Sequence, residues 1–124
     1  MAQRIAILAQ DLIWSDRLVQ AVEAAGATPA RSGTASGFAA ALEDADFAIV
    51  DMTATAYDAL DAIGRAHASG ARVLAVGQHD DIDLRKRALA SGAERVFAYR
   101  KMFEDGPATI ASWMSRPLSG TPAR

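Results

Sequence analysis

The segment Ala45-Asp46-Phe47-Ala48-Ile49-Val50-Asp51 contains four consecutive apolar residues, which are followed by the acidic residue Asp51. The β-branched neighbours Ile49 and Val50 favour a strand that is buried on both faces, as strands are in parallel sheets. Asp51 then falls at the carboxyl end of this strand, where ligands and chemistry gather in open α/β sheets. The alternative is that Asp51 only begins the next turn or helix, which is a common position for Asp.

The composition is that of one globular domain. The chain has 124 residues, of which 51% are hydrophobic and 23% charged, and this length is sufficient for a buried core. A net charge of −2 predicts no direct binding to nucleic acid or to an anionic membrane. The absence of cysteine excludes disulfides, thiolate metal sites and a cysteine nucleophile. The first apolar run is too short for a signal peptide or a membrane span, so we expect a cytoplasmic protein.

Strand and helix patterns alternate along the rest of the chain. Further strands are predicted at residues 5–9, 27–31, 72–76 and 95–99, and Pro29 places the second of these at a sheet edge. Helices are predicted at 12–25, around Phe38 to Ala45, from about 58 to 69, from about 80 to 91 with Leu84, Ala88 and Leu89 inward, and at 107–114. We predict a domain over residues 1–115 and a flexible tail over 116–124.

A repeated glycine supports these boundaries. Ala25-Gly26-Ala27, Ser69-Gly70-Ala71 and Ser91-Gly92-Ala93 each lie between a helix pattern and a strand pattern, where glycine ends a helix without strain. Five strands alternating with five helices predict a three-layer, flavodoxin-like (βα)5 fold with a parallel sheet in the order 2-1-3-4-5. In that order the first and third strands are neighbours, so the turn after residue 8 faces Asp51.

The residues around this edge lack the parts of several common sites. The turn over residues 10–15 contains no glycine, which makes a dinucleotide site a poor match. His67 and His79 are the only histidines and lie on different predicted elements, one on a helix surface and one in a loop. A zinc site and a charge-relay triad therefore lack residues. We expect no resident metal and no enzymatic activity.

Four short segments occur in an informative order. They are residues 46–52 with Asp51, the Tyr57-Asp58-Ala59-Leu60 segment, residues 88–93 with Gly92-Ala93, and Lys101-Met102-Phe103. Together they resemble the receiver domain of bacterial two-component response regulators along nearly the whole chain. The resemblance implies that Asp51 occupies the position of the phosphoacceptor aspartate, and that Lys101-Met102-Phe103 corresponds to the family's Lys-Pro-Phe, displaced slightly along the chain.

The chain departs from that family at the residues that would surround Asp51. The acidic pair that holds magnesium in receivers corresponds here to Ala9 and Gln10, and Asp11 comes one residue late. The Ser/Thr position at the end of the fourth strand corresponds to Gly77, which has no hydroxyl.

The fifth strand has two alignments with the family. Without a gap, Tyr99 stands at the lysine position and Val96 at the switch aromatic. With a two-residue insertion, Lys101 is the lysine and Phe97 or Tyr99 the aromatic.

These departures suggest a degenerate, or pseudo-receiver, domain that signals by protein–protein interaction. Phosphorylation of Asp51 is then weak or absent, and Mg²⁺ binds weakly if at all, because lost ligands remove the electrostatic stabilisation of phosphoryl transfer. One alternative is a phosphorylatable single-domain response regulator that uses Asp51. Another is a small-ligand-binding module with a pocket formed by Asp11, Asp51, Ser15, Thr53, Thr55 and Gln78.

A group of basic residues suggests the partner surface. The fourth helix carries Arg85, Lys86 and Arg87, and the fifth strand and the segment after it add Arg95, Arg100 and Lys101. Receiver domains use this face for output contacts and dimerisation, so the resemblance implies a histidine kinase or downstream effector as partner, or a homodimer through helix 4, strand 5 and helix 5. The alternative is that these charges are only solvated.

Overall fold

Strands and helices alternate along the chain in the computed structural model, which describes residues 3–78 and 80–116. The strands are β1 (Arg4–Leu8), β2 (Thr28–Ser32), β3 (Phe47–Asp51), β4 (Arg72–Gly77) and β5 (Arg95–Ala98). The helices are α1 (Leu12–Ala24), α2 (Ala35–Leu42), α3 (Ala59–Ala68), α4 (Ile82–Ser91) and α5 (Tyr99–Ser115). In this described part of the chain, no helix combines the length and apolarity needed to cross a membrane. The position of His79 and the tail at 117–124 lie outside the described residues.

The five strands form one parallel sheet in the order β2-β1-β3-β4-β5, which confirms the predicted flavodoxin-like fold. β1 and β3 are direct neighbours, and Leu8 pairs with Val50 near their carboxyl ends. β2 lies at the edge of the sheet, where Pro29 stands opposite Ile5. An edge position tolerates Pro29 because proline cannot donate a ladder hydrogen bond.

The central strand β3 is buried at every position, as its unbroken apolar sequence predicts. Alternate side chains of a strand point to opposite faces of the sheet. Ala48 and Val50 therefore pack in the layer that contains α2, α3 and α4, whereas Phe47 and Ile49 pack in the layer that contains α1 and α5. Asp51 is the only charged residue of this strand, and the core holds it in place from both sides.

The helix boundaries follow local capping chemistry. Side chains of Asp11, Thr34, Asp58 and Asp81 accept hydrogen bonds from the first turns of α1 to α4. The three predicted glycine caps all have a positive φ, and Gly92 has the largest at 126°. A side chain at Gly92 would also place its Cβ 2.6 Å from the Cβ of His67, so both the backbone and the available space require glycine there.

The structure corrects the prediction for the end of the chain. The predicted strand at 95–99 ends at Ala98, and α5 begins at Tyr99 rather than at Pro107. Non-helical backbone angles at Asp105 divide α5 into two parts, and Pro107 lies in the first turn of the second part. Proline is accepted in a first turn, so Pro107 marks the kink and not the start of the helix. A second correction concerns Leu89, which was predicted to face inward but is 44% exposed.

A largely buried ion pair joins the amino-terminal edges of β4 and β5. The Arg72 guanidinium donates to both carboxylate oxygens of Glu94, at 2.9 and 2.6 Å, and also to the backbone oxygen of Trp113 at 3.2 Å. The side chains of Arg72 and Glu94 are only 16% and 8% exposed. The pair therefore ties two strands to α5 in a region that water reaches poorly.

Glu94→Gln should destabilise the protein by about 3 kcal/mol, because it leaves the buried Arg72 charge without its counter-ion. The matched control is Glu104→Gln, which removes an exposed pair with Arg100 and should cost about 0.5 kcal/mol or less. Urea unfolding measures both values. Equal losses for the two variants would contradict a structural role for the buried pair.

Candidate functional site

Asp51 lies at the carboxyl end of β3 and is only 1% exposed. Its Oδ1 accepts hydrogen bonds from the backbone N and the Oγ1 of Thr53, at 2.8 and 2.7 Å. This is the local turn that Asp forms with the backbone two residues later. Its Oδ2 is buried and has no hydrogen-bond partner in the described structure. One half of the carboxylate is thus held by the turn, and the other half lacks a donor.

The residues after β1 face Asp51, as the fold requires, but they are used in other contacts. Ala9 is buried and has no polar side chain. The Oε1 of Gln10 accepts from the backbone N atoms of Thr55 and Ala56, at 3.0 and 3.2 Å, and so holds the loop after β3. Asp11 accepts from the Trp14 N at 3.0 Å as the cap of α1. One cleft of about 350 Å³ lies at this edge of the sheet. It is lined by Gln10, Asp11, Asp51, Thr53, Ala54 and Thr55.

The side chains around this cleft supply too few oxygen ligands for the magnesium ion that receiver domains hold. Within residues 3–78 and 80–116, no three or more acidic or histidine side chains gather where they could bind a metal. Asp51 supplies one uncommitted oxygen, and Asp11 would have to leave its helix cap to supply another. A hard cation prefers several oxygen ligands, and here an alanine and an engaged amide stand where the acidic pair would be.

The Tyr99 hydroxyl lies against the side chains of Asp51 and Thr53. It is buried and makes no hydrogen bond of regular geometry in the described structure. Burial raises the pKa of the Tyr99 phenol far above its ordinary value, and the neighbouring Asp51 carboxylate raises that pKa further. The Tyr99 ring packs on Trp14 of α1, with 3.8 Å between ring centroids. A neutral phenol therefore covers Asp51.

Of the two alignments of the fifth strand, the structure places Tyr99 and not Lys101 beside Asp51. Lys101 is exposed on α5, and its Nζ lies 3.6 Å from the Asp105 carboxylate. Val96 is buried in the core between the sheet and α3–α4, whereas Phe97 is half-buried in the other layer. The chain turns into α5 directly at Tyr99, so Lys101 lies on this helix and not at the end of β5.

Gly77 ends β4 and pairs with Ala98 of β5. A Cβ at Gly77 would lie 3.1 Å from the Met52 Cε, so the Met52 side chain occupies the space beside it. This methyl group is the end of a flexible side chain and can move. No hydroxyl is supplied to the cleft from this position.

Tyr57 is a second, half-buried phenol at the same edge of the sheet. Its hydroxyl contacts the backbone oxygens of Asp51 at 2.8 Å and Leu8 at 3.2 Å, and so links the ends of β3 and β1. Burial raises the pKa of Tyr57 above its ordinary value, and the Asp51 charge adds to the increase. The sequence places Tyr57 in one of the segments that resemble receiver domains, and no contact of its hydroxyl is predicted from that segment. Its large aromatic ring beside a predicted strand end was the available signal.

Not all residues of the alternative ligand pocket line this cleft. Thr53 and Thr55 do, together with Asp11 and Asp51. Ser15 is buried inside α1, and Gln78 is exposed beyond β4; neither lines the cleft.

The predicted partner surface separates into two groups. Arg85, Lys86 and Arg87 are exposed on α4, where Arg87 lies 3.8 Å from Asp83. Arg100 lies on α5 and is 3.2 Å from Glu104. Arg95, on β5, instead lines a separate cleft against α5 together with Lys101 and Arg116. The sequence analysis had assigned Arg116 to the tail.

Solved structures with a similar arrangement include receiver domains of response regulators. A receiver domain protein from Methanospirillum hungatei has a TM-score of 0.78 and 19% identity, covering 92% of this chain and 94% of its own. A response regulator from Thermotoga maritima has a TM-score of 0.80 and 15% identity, covering 94% and 100%. The chain has the receiver-domain fold. These low identities establish the fold and leave the chemistry of Asp51 to be argued from this chain's own residues.

A third similar structure is a Burkholderia pseudomallei response regulator that contains a phosphorylated aspartic acid, a calcium ion and citrate. Its TM-score is 0.70 and its identity is 13%, covering 91% of this chain and 73% of its own. No protein-family model matches the sequence, and a comparison with curated proteins finds no match.

Both tyrosines of the chain are in this site, so tyrosine ionisation reports on it directly. Because each folded-state pKa lies above the ordinary value of 10.0, the folded protein keeps protons that the unfolded chain releases. The free energy of unfolding should therefore stay constant with respect to these groups below pH 10.0 and fall as the pH rises further, by up to about 1.4 kcal/mol per pH unit for each tyrosine.

In an ultraviolet titration, the native protein should show no tyrosinate absorbance near pH 10.0, and both tyrosines should ionise when the protein unfolds. The urea-unfolded chain is the control and should titrate near the ordinary value. Half of the signal appearing near pH 10.0 in the folded protein would show that one phenol is open to water.

Proposed function

We propose that this chain is a cytoplasmic receiver-like signalling domain that acts by binding a protein partner, with little or no phosphorylation of Asp51. The observation that carries the proposal is the state of the Asp51 carboxylate. It is buried, Thr53 holds one oxygen, and the neutral Tyr99 phenol lies where the receiver resemblance calls for a lysine ammonium.

The charge balance around Asp51 supports this proposal. Phosphoryl transfer is catalysed mainly by positioned positive charge that stabilises the transferring group. Here Ala9, Gln10 and Tyr99 are uncharged, and the first cation along α5, Arg100, is paired with Glu104. A phosphoryl group on Asp51 would place additional negative charge in a buried site without a compensating cation.

Exposed apolar side chains next to this cleft support a role in protein binding. Leu12 and Ile13 follow the Asp11 cap and are exposed, and Phe103 lies with Ile13, Trp14 and Arg17 around a second depression of about 310 Å³. Grouped apolar residues on a soluble surface commonly mark interaction sites. We infer a signalling partner such as a histidine kinase or an effector, with homodimerisation through α4, β5 and α5 as a further proposal.

Incubation with acetyl phosphate and Mg²⁺, followed by intact-protein mass spectrometry, tests the proposal. The unchanged chain should show no added phosphoryl mass, because the site lacks both the cation and the acidic pair. The variant Ala9→Asp/Gln10→Asp/Tyr99→Lys restores those groups and should be phosphorylated to a measurable extent. Adding Asp51→Asn to that variant should remove the modification, which assigns it to Asp51.

Stoichiometric phosphorylation of the unchanged chain, lost on Asp51→Asn, would overturn the proposal and favour a phosphorylatable response regulator. Circular dichroism of each variant verifies that the fold persists. Capture of a signalling partner by the unchanged chain and by Asp51→Asn should be equal, since the proposed interaction does not require a modified Asp51.

A further inference from the structure

A separate cleft lies between β5 and α5. Its volume is about 260 Å³, and it shares no lining residue with the Asp51 cleft. Three cationic side chains line it: Arg95 from β5, Lys101 from the first part of α5, and Arg116 from the residue that follows α5. Three separate positions of the chain thus bring positive charge to one depression.

The charges in this cleft do not cancel. Lys101 is paired with Asp105, which also lines the cleft. Arg95 and Arg116 form no ion pair with any carboxylate in the described part of the chain. The Arg95 guanidinium lies 5.1 Å from the centre of the Phe97 ring, which positions it without neutralising it. Three cations and one anion leave the cleft with two uncompensated positive charges.

Two buried donors line the same cleft. Thr109 and Trp113 are 7% and 2% exposed, and both belong to α5. The Thr109 Oγ1 and the Trp113 Nε1 have no hydrogen-bond partner in the described structure. A buried donor without an acceptor is costly, and such groups in a folded protein require an explanation.

The kink in α5 explains why Thr109 lacks an acceptor. A threonine in a regular helix donates to the carbonyl four residues earlier, which is that of Asp105 here. Asp105 has non-helical backbone angles, with φ −147° and ψ 34°, so this carbonyl is not presented to Thr109. The kink therefore leaves the Thr109 hydroxyl unpaired and buried in the wall of the cleft.

We propose that this cleft binds a small dianion, a dicarboxylate or a phosphate ester. Two excess positive charges match the charge of a dianion, and the guanidinium and ammonium groups of Arg95, Arg116 and Lys101 can donate charge-assisted hydrogen bonds to its oxygens. The volume lies just below the range of ordinary ligand pockets, which limits the ligand to a few non-hydrogen atoms. The site does not depend on the chemistry proposed for Asp51, since the two clefts share no lining residue.

Succinate and inorganic phosphate are the probes, with acetate as a monoanion control at equal ionic strength. The chain contains two tryptophans, so the variant Trp14→Phe makes Trp113 the only tryptophan, and selective excitation of tryptophan then reports from the cleft. Titration of this variant should give a saturable change in Trp113 fluorescence with at least one dianion. Calorimetry on the unchanged chain checks that the reporter variant has not altered the affinity.

Arg95→Gln should weaken dianion binding by about tenfold or more, because it removes a charge-assisted hydrogen bond. The matched control is Arg85→Gln on α4, which makes the same change in net charge outside the cleft and should leave the dissociation constant unchanged. Thr109→Val, which keeps the shape and removes the buried unpaired donor, should raise the unfolding midpoint of the ligand-free protein and leave the dianion dissociation constant unchanged.

Saturation by succinate alone identifies a dicarboxylate site, and saturation by phosphate alone identifies a phosphate site; either supports the proposal. It is overturned by the absence of saturable binding for both dianions. Equal binding of acetate, or an equal loss in Arg85→Gln and Arg95→Gln, would also overturn it, because these results indicate only general charge attraction.

Discussion

The burial of the Asp51 carboxylate at the end of the central strand constrains the arrangement of the whole carboxyl edge of the sheet. A buried charge requires nearby donors or counter-charges. In this chain Thr53 supplies two donors, and two neutral phenols lie close to the carboxylate. The loop after β3 is fixed in turn by Gln10, whose amide oxygen holds two of its backbone N–H groups. Asp51 is thus part of a structural network.

Aromatic residues pack beside Asp51, where the receiver resemblance implies an acidic pair and a lysine. Tyr99 stacks on Trp14, and the Arg17 guanidinium lies 5.7 Å from the Trp14 ring and 4.3 Å from the Phe103 ring. These contacts continue from the buried carboxylate to the exposed surface between α1 and α5. A partner that binds at this surface would contact side chains that pack directly against Tyr99, the residue beside Asp51.

The fold could be predicted because it depends on local pattern. Unbroken apolar runs such as Phe47–Asp51 mark buried strands, and glycine in positive-φ positions marks helix ends. The start of α5 could not be predicted, since Ala98 has no side chain that caps the helix and Pro107 is the stronger signal for a helix start. The positions of Tyr99 and Arg116 depend on how α5 packs against the sheet, and this packing is set by contacts between residues distant in sequence.

Nuclear magnetic resonance of the amide of Thr53 tests the central claim most directly, because this N–H donates to the Asp51 carboxylate. On addition of Mg²⁺ and beryllium trifluoride, a phosphoryl analogue, the amide signals of Thr53 and Thr55 should keep their chemical shifts. This result is expected because Tyr99 covers the carboxylate and the site has no cation to hold the analogue. A new, slowly exchanging set of signals for these residues would contradict the account.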